Sequence, residues 1–376
     1  MRPIVYSLFE RLDASFKHTG RGVCIGFVDS GFFPHADLVR PRRRVKAYAD
    51  ATRDTPVASD FFNPQVWSWH GTMTACCAAG NGWLSGGRYR GLASDAEVVL
   101  IKAGVEDGRI LGKNVAHAIR FPLRYPHLGI RILNVSLGVS PGDPDIKDVE
   151  AAVEEVVAEG ITVFAAAGNM PGRPPSGPGA AKSAITVGGG NDNNTPGFED
   201  DTLWPSSHGS PKPGVHKPDL IAPAIWVPAP MLPGTLTARE AAPLFQLVSV
   251  LEELSTEYGF SDTRQIATPE ERASVNALLD AVYARIARCK YISPDYQHVD
   301  GTSFASPITA SVAAQMLEVD PTLTPEDIRE GLTHTARPLQ KVEKALQGAG
   351  LVRPRAAVEW TQKRVHRAKS AAKAQK

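Results

Sequence analysis

Val23-Cys24-Ile25-Gly26-Phe27-Val28-Asp29-Ser30-Gly31 is the stretch on which the fold turns. Six successive residues, Val23 to Val28, are apolar or glycine, and the run ends on an acid, a serine and a glycine. With no polar alternation, such a run suits a strand buried on both faces, as in a parallel sheet. The chain repeats the pattern at Glu97-Val98-Val99-Leu100-Ile101, Ile132-Leu133-Asn134-Val135-Ser136-Leu137, Ile161-Thr162-Val163-Phe164-Ala165 and Ala184-Ile185-Thr186-Val187. Before the run at Ile161, Ile146, Val149, Val153, Val156 and Val157 recur at helical spacing, and Gly160 follows as a stop. Strands alternating with helices predict an α/β fold with a mainly parallel central sheet flanked by helices. Sites in such sheets form at the carboxyl ends of strands.

Further along the chain, one segment breaks this rhythm. From about Trp226 to Ser293 the strand pattern stops and two helical patterns replace it. The first carries Leu244, Leu247, Val248, Leu251, Leu254 and Tyr258 on one face, with Gly259 as its stop. The second opens on Thr268-Pro269-Glu270-Glu271, a capping box with proline at the first helical position. Val275, Leu278, Leu279, Val282 and Ile286 mark its apolar face. Residues 226–293 therefore read as a helical hairpin inserted into one domain spanning 1–360. Residues 361–376 read as a basic, solvated, partly disordered tail, since from Arg353 onward eight Lys/Arg stand against the single Glu359.

Bulk properties exclude several classes. The 41 Lys and Arg balance 40 Asp and Glu, so no global field points to nucleic acid or to a membrane surface. Four cysteines with no CxxC or Cys/His spacing read as buried, reduced thiols rather than a disulfide framework or a metal site. No stretch reaches transmembrane length, and no signal-peptide core follows Met1, so the expected location is cytoplasmic.

Small-residue motifs sit at the ends of these elements. A serine becomes a strong nucleophile when a neutral imidazole takes its proton and a buried carboxylate orients that imidazole. The resulting oxyanion needs preorganised donors. Asp29 leaves the strand Val23 to Val28 at the position where such sheets build sites. His70, in Trp69-His70-Gly71-Thr72, opens a helix of small residues. Ser303, in Asp300-Gly301-Thr302-Ser303-Phe304-Ala305-Ser306-Pro307, begins another helix, whose free amides favour negative charge. Asn169 follows a strand and a glycine, free to aim its amide into a cleft.

Taken together, Val28-Asp29-Ser30-Gly31, His70-Gly71-Thr72, Ala167-Gly168-Asn169 and Gly301-Thr302-Ser303-Phe304-Ala305 resemble, in this order, the subtilisin-like serine peptidases, the subtilases of peptidase family S8. Weaker matches are His35-Ala36-Asp37-Leu38, Tyr89-Arg90-Gly91-Leu92-Ala93, Asn134-Val135-Ser136-Leu137-Gly138, Ser206-Ser207-His208-Gly209, Lys217-Pro218-Asp219-Leu220-Ile221-Ala222-Pro223 and Gly348-Ala349-Gly350-Leu351-Val352. The resemblance implies a three-layer subtilisin-like fold and a serine endopeptidase acting through an acyl-enzyme. Asp29, His70 and Ser303 would be its triad and Asn169 its oxyanion donor. Substrate would lie as an extended strand along Ser136, Leu137 and Gly138. Ala166, Ala167 and Gly168, with Ala165, would wall the first specificity pocket, and Pro174 to Ala181 would form its floor.

The chain also departs from that family. Only 28 residues precede Asp29, so neither a leader nor a folding pro-domain is expected in it. Some relatives hold calcium in the loop after the histidine helix; here Gly80 to Gly87 has no carboxylate, so calcium stays open by resemblance with no identifiable ligands, and no metal or other cofactor is expected. The insert at 226–293 replaces a much shorter connection and is a place where a regulatory partner could dock. Two further readings are a peptide ligase or macrocyclase, in which an amine captures the acyl-enzyme, and a partner-regulated processing protease with a narrow substrate range. The expected partners are protein or peptide substrates, with no nucleic acid and no membrane.

Overall fold

The computed structural model describes residues 4–53, 61–106, 108–207, 216–255 and 268–374. Its centre is a sheet of β1 (Cys24–Asp29), β2 (Val45–Asp50), β3 (Glu97–Lys102), β4 (Ile130–Val135), β5 (Thr162–Ala166), β6 (Ile185–Asn191), β7 (Thr202–Leu203) and β8 (Leu220–Pro223). The strand order is β2-β3-β1-β4-β5-β6-β7, with β8 also paired to β6. Every pairing is parallel except β6 with β7. All of β1 is buried, as its apolar run demands.

The helices that matter below are α1 (Ser68–Ala79), α2 (Gly112–Ile119), α3 (Ile146–Ala158), α4 (Leu236–Ser255), α5 (Pro269–Arg288), α6 (Thr302–Val319), α7 (Pro325–Thr335) and α8 (Pro354–Ala374). They give the sheet two covered faces. Ile25 and Phe27 of β1 pack with Ala75 and Ala78 of α1 and Phe304, Ile308 and Val312 of α6. Cys24 and Val28 face the other way, toward Val115 and Ile119 of α2 and Val149, Val153 and Val156 of α3. The architecture is therefore three-layered, α/β/α, as expected from the sequence. Helix α6 is buried nearly all round, as its apolar composition requires.

Strand β3 returns beside β1 on one side and β4 lies on the other. The chain thus reverses its direction of winding across β1, which opens a crevice beyond the carboxyl ends of β1 and β4. Asp29 ends β1, and Ser136 follows the last residue of β4.

Three features differ from the sequence reading. First, the strand pattern does not stop at Trp226: β9 (Val227–Pro230) pairs antiparallel with β10 (Tyr296–Val299), and this ribbon carries the helical hairpin at its far end. Prolines at 228 and 230 hid β9, because proline is rare in paired strands. Second, α4 and α5 pack mainly through Phe245, Val248, Leu251, Val282 and Ile286, leaving Leu247, Leu254 and Leu278 exposed; Tyr258 and Gly259 lie outside the described residues. The capping box of Thr268 and Glu271 is present. Third, residues 361–374 continue α8 instead of forming a disordered tail. Ala357, Val358 and Thr361 anchor the helix in the core, and its solvated continuation holds the basic residues. No described helix is long and apolar enough to cross a membrane.

The amino-terminal segment is fastened by one buried cation. Arg11 donates to both oxygens of Asp192 at 2.9 and 2.6 Å, and to the carbonyls of Trp226 at 2.7 Å and Ile225 at 3.1 Å. Both side chains of the ion pair are essentially inaccessible. Removing one partner of such a pair leaves the other charge buried and unpaired. Arg11→Ala should therefore lower the unfolding free energy by about 3–5 kcal/mol. Replacing both residues together, Arg11→Met with Asp192→Leu, should cost less than Arg11→Ala alone. Urea unfolding midpoints of the variants measure both.

Candidate active site

Three glycine-dependent approaches build the site. At Gly71, in the first turn of α1, a Cβ would lie 2.3 Å from the Gly31 carbonyl oxygen and 2.8 Å from Asp29 Cβ. Only glycine lets α1 press this closely on the turn after β1. Thr72 locks the approach by accepting from the Phe33 amide at 2.9 Å. His70 thereby lies against Asp29, with Nδ1 and Oδ1 2.8 Å apart. Asp29 is fully buried, whereas the His70 side chain keeps 21% of its surface exposed. Oδ1 of Asp29 also accepts from the Ser30 amide at 2.7 Å, and Oδ2 faces the Thr74 hydroxyl at 3.2 Å.

The second approach is at Gly301, whose φ of +141° is open to glycine alone among ordinary residues. Its amide donates to the Ala224 carbonyl at 2.7 Å, which ties the turn before α6 to the end of β8. Gly301, not Ser303, is the N-cap, and the helix begins at Thr302. Ser303 is half-buried in the first turn. Its hydroxyl donates to the Ser136 carbonyl at 3.3 Å rather than to His70. His70 and Phe304, next to Ser303, have ring centroids 5.6 Å apart, so the imidazole packs against the first turn of α6.

The third approach is at Gly168, with φ +103°, just after β5. It turns Asn169 toward Gly301. Asn169 Oδ1 accepts from the Thr302 amide at 2.9 Å and from the Thr302 hydroxyl at 2.8 Å. The Thr302 hydroxyl in turn accepts from the Gly168 amide at 3.1 Å. With Oδ1 held by two donors, the NH₂ group is fixed as the outward end, near Gly301.

The cleft of about 560 Å³ beside these groups is lined by Ser30, Trp67, Trp69, His70, Glu106, Ile110, Ser136, Leu137 and Gly138. Ser136 and Leu137 are buried and Gly138 is exposed. A Cβ at Gly138 or at Gly168 would meet nothing within 4 Å, so there is open space beside each of them. Ala166 is half-buried and Ala167 buried on the facing wall. Gly179 packs under Ala166, where a Cβ would lie 2.8 Å from its carbonyl oxygen, and Ser176 donates to the Val139 carbonyl at 3.0 Å. Residues 174–181 thus touch both walls.

Several polar residues of the site escape a reading by motif alone. Thr302 orients Asn169, and Thr74 lies one helical turn beyond His70 on the same face of α1. Behind them runs a buried chain: Ser306 donates to Asn134 Oδ1 at 2.7 Å, Asn134 Nδ2 to Ser136 Oγ at 2.9 Å, and Ser136 Oγ to the Ser303 carbonyl at 2.8 Å. A polar residue inside an otherwise apolar run, as at Asn134 and Ser306, is the signal that could have found them.

The loop in which the family resemblance left calcium open does not fit that ion. Gly80 to Gly87 has no carboxylate. The carbonyls of Asp37, Ala79 and Ala96 around its base already accept from the buried Arg44 guanidinium. The buried group His35, Asp37 and Cys76 brings ligand atoms within 4.8 Å of one another, but its mixed nitrogen, oxygen and sulfur donors do not suit a hard cation. Asp37 Oδ2 there accepts from the Tyr296 hydroxyl at 2.7 Å.

Burial, the largest single influence on His70, disfavours its charged form. The Asp29 charge and hydrogen bond act the other way and together prevail, so His70 titrates above the ordinary imidazole value. A raised native pKa means that the pair's contribution to stability is complete below the unfolded-state pKa and is lost as pH rises through the native one. Asp29→Asn removes both raising influences and leaves burial, so the His70 pKa should fall below the ordinary value. NMR titration of the His70 ring in both proteins tests this; a midpoint that stays put or rises in the variant contradicts the pairing.

Residues 20–351 match the Subtilase family, peptidase S8. The chain is 28% identical over 347 residues to Serine protease AprX of Bacillus subtilis (strain 168), which covers 89% of this chain and 65% of AprX. It is 31% identical over 172 residues to Subtilisin-like protease 2 of Pseudogymnoascus destructans, covering 45% of this chain and 38% of that protein. The chain therefore spans less than two thirds of either relative. Among solved structures, proteases from Pseudoalteromonas arctica PAMC 21717 share the fold with a TM-score of 0.61 at 20% identity, covering 94% of both chains. A family match over most of the chain, agreeing with the sheet order and the three glycine-dependent turns, places this protein in the subtilase family.

Proposed function

We propose that the chain is the catalytic domain of a serine endopeptidase that cleaves peptide bonds through an acyl-enzyme. The observation that carries the reading is the 2.8 Å pair of His70 and the buried Asp29 beside a cleft lined by His70 and Ser136, with the Ser303 hydroxyl on the Ser136 carbonyl. In this reading Asp29 fixes the imidazole with Nδ1 protonated, leaving Nε2 to take the Ser303 proton. Substrate lies extended along Ser136, Leu137 and Gly138. A substrate amide that donates to the Ser136 carbonyl takes the acceptor now used by Ser303 and frees that hydroxyl to turn toward His70. The tetrahedral oxyanion then meets the outward NH₂ of Asn169 and the free amides at the start of α6. Open space beside Gly138 and beside Gly168, next to the small Ala166 and Ala167, suits a large apolar side chain on the acyl side of the cleaved bond.

A fluorophosphonate probe tests nucleophile, activation and access together. It should modify the wild type at Ser303, and Ser303→Ala should stay folded and unlabelled; labelling of the variant at the wild-type rate would remove the assignment. Asn169→Ala should lower kcat by roughly 10²–10³ with little change in KM, the scale known for the side-chain amide donor of subtilisin itself rather than a figure drawn from this chain. Steady-state kinetics on a peptide ester would measure it. A loss in KM alone would make Asn169 a binding residue.

A further inference from the structure

Pro307 is the sixth residue of α6, beyond the first turn, where proline needs no partner. In a regular helix the amide of residue 307 would donate to the carbonyl of residue 303. Proline has no such amide, so the carbonyl of Ser303 loses its helical donor at the position that presents the hydroxyl. A buried carbonyl without a partner is unfavourable. The missing donor comes from another element: Ser136 Oγ donates to the Ser303 carbonyl at 2.8 Å. Ser136 is itself held by Asn134, which is held by Ser306 one turn along the same helix. Asn134, Ser136 and Ser306 are all buried; each of the two hydroxyls has an acceptor, and the Asn134 amide donates to Ser136 Oγ.

We infer that the side chain of Ser136 is a positioning group: it replaces the amide that Pro307 lacks and so fixes the Ser303 backbone to the strand on which substrate lies. The inference rests on the reading of Ser303 as the nucleophile. Its physical content is a coupling of two rigid elements. The backbone of Ser136 to Gly138 sets where the scissile carbonyl lies, and the side chain of Ser136 sets where the attacking residue lies. One residue therefore fixes the distance between them. Without the tie, the first turn of α6 is free to shift relative to β4, and reacting groups are sensitive to shifts of this kind.

The test is a cycle of variants read as the rate of fluorophosphonate acylation of folded protein. The small probe reports chemistry at Ser303 and not binding along the strand. Ser136→Ala should slow acylation roughly tenfold. Ser136→Thr, which keeps the hydroxyl, should recover part of the rate that Ser136→Ala loses. Pro307→Ala restores the helical amide, so it should change the rate little alone and should recover most of the loss when combined with Ser136→Ala. A merely structural role would lower the melting temperature of Ser136→Ala without slowing acylation of the folded fraction, and that result would overturn the inference. So would a double variant no faster than Ser136→Ala. Failure of the underlying reading is separately visible: there the wild type, or His70→Ala as readily as the wild type, would give the wrong labelling pattern before any Ser136 variant is made.

Discussion

The closeness of α1 to the end of β1 is the constraint from which the site is built. A sheet strand ends in a carboxylate; a helix must then bring an imidazole to hydrogen-bond distance without letting water between them. Side chains normally keep helix and strand well apart, because packed interiors admit no overlap. At Gly71 the missing side chain removes that spacing, and the carbonyl of Gly31 occupies the place a Cβ would take. The position of the His70 ring beside Asp29 follows from this contact. If Gly71 were alanine, α1 would have to back away from β1, and the imidazole would move with it.

The opposite wall is governed by a different economy. Helix α6 is buried almost all round, and in its first turn only Ser303 is half-buried rather than buried. Apolar packing of Phe304, Ile308 and Val312 holds the helix, and three polar contacts add to it at the start: Gly301 to Ala224, Thr302 to Asn169, and Ser303 to Ser136. Each of these reaches a different strand end, β8, β5 and β4. The serine turn is thus suspended between three carboxyl ends of one sheet. The two-stranded ribbon enters the same region from the other side. Asp300 accepts from the Trp226 amide at 3.1 Å and pairs with Lys290 at the base of the hairpin. The insert is therefore anchored to the residue next to Gly301, and any motion of its base reaches the serine turn through one peptide unit.

Much of this was legible in the sequence because buried parallel strands advertise themselves. The run from Val23 to Val28 has no polar face, so its burial on both sides followed from composition. The glycines of the motifs were equally readable as places of close approach, although which atoms approach was not. Strand β9 stayed hidden because two of its four residues are proline, and the local signal outvoted a tertiary pairing. Residues 361–374 looked like a tail since nothing in them is apolar beyond Val365 apart from alanine; their helix is inherited from the anchored turn at Ala357 and Val358. A polar residue in an apolar run was the only trace of Asn134 and Ser306, and the bonds of Thr302 to Asn169 and of Ser306 to Asn134 could not be read, because partners 133 and 172 positions apart leave no periodicity. His208 and Gly209 of the Ser-Ser-His-Gly segment lie outside the described residues, while Ser207 accepts from the Gly189 amide as a buried brace of β6.

The buried Arg11 has a bearing on biosynthesis. Its carboxylate partner lies 181 residues downstream, and the carbonyls it also grips lie more than 210 residues away. At ribosomal speeds of about 5–20 residues per second, the arginine emerges on the order of ten seconds or more before Asp192 exists. During that interval the cation has only solvent for company, and the amino-terminal turn cannot dock. The helical turn that carries Arg11 is therefore among the later described pieces to settle, and it stays accessible to chaperones until β6 and Asp192 have been made.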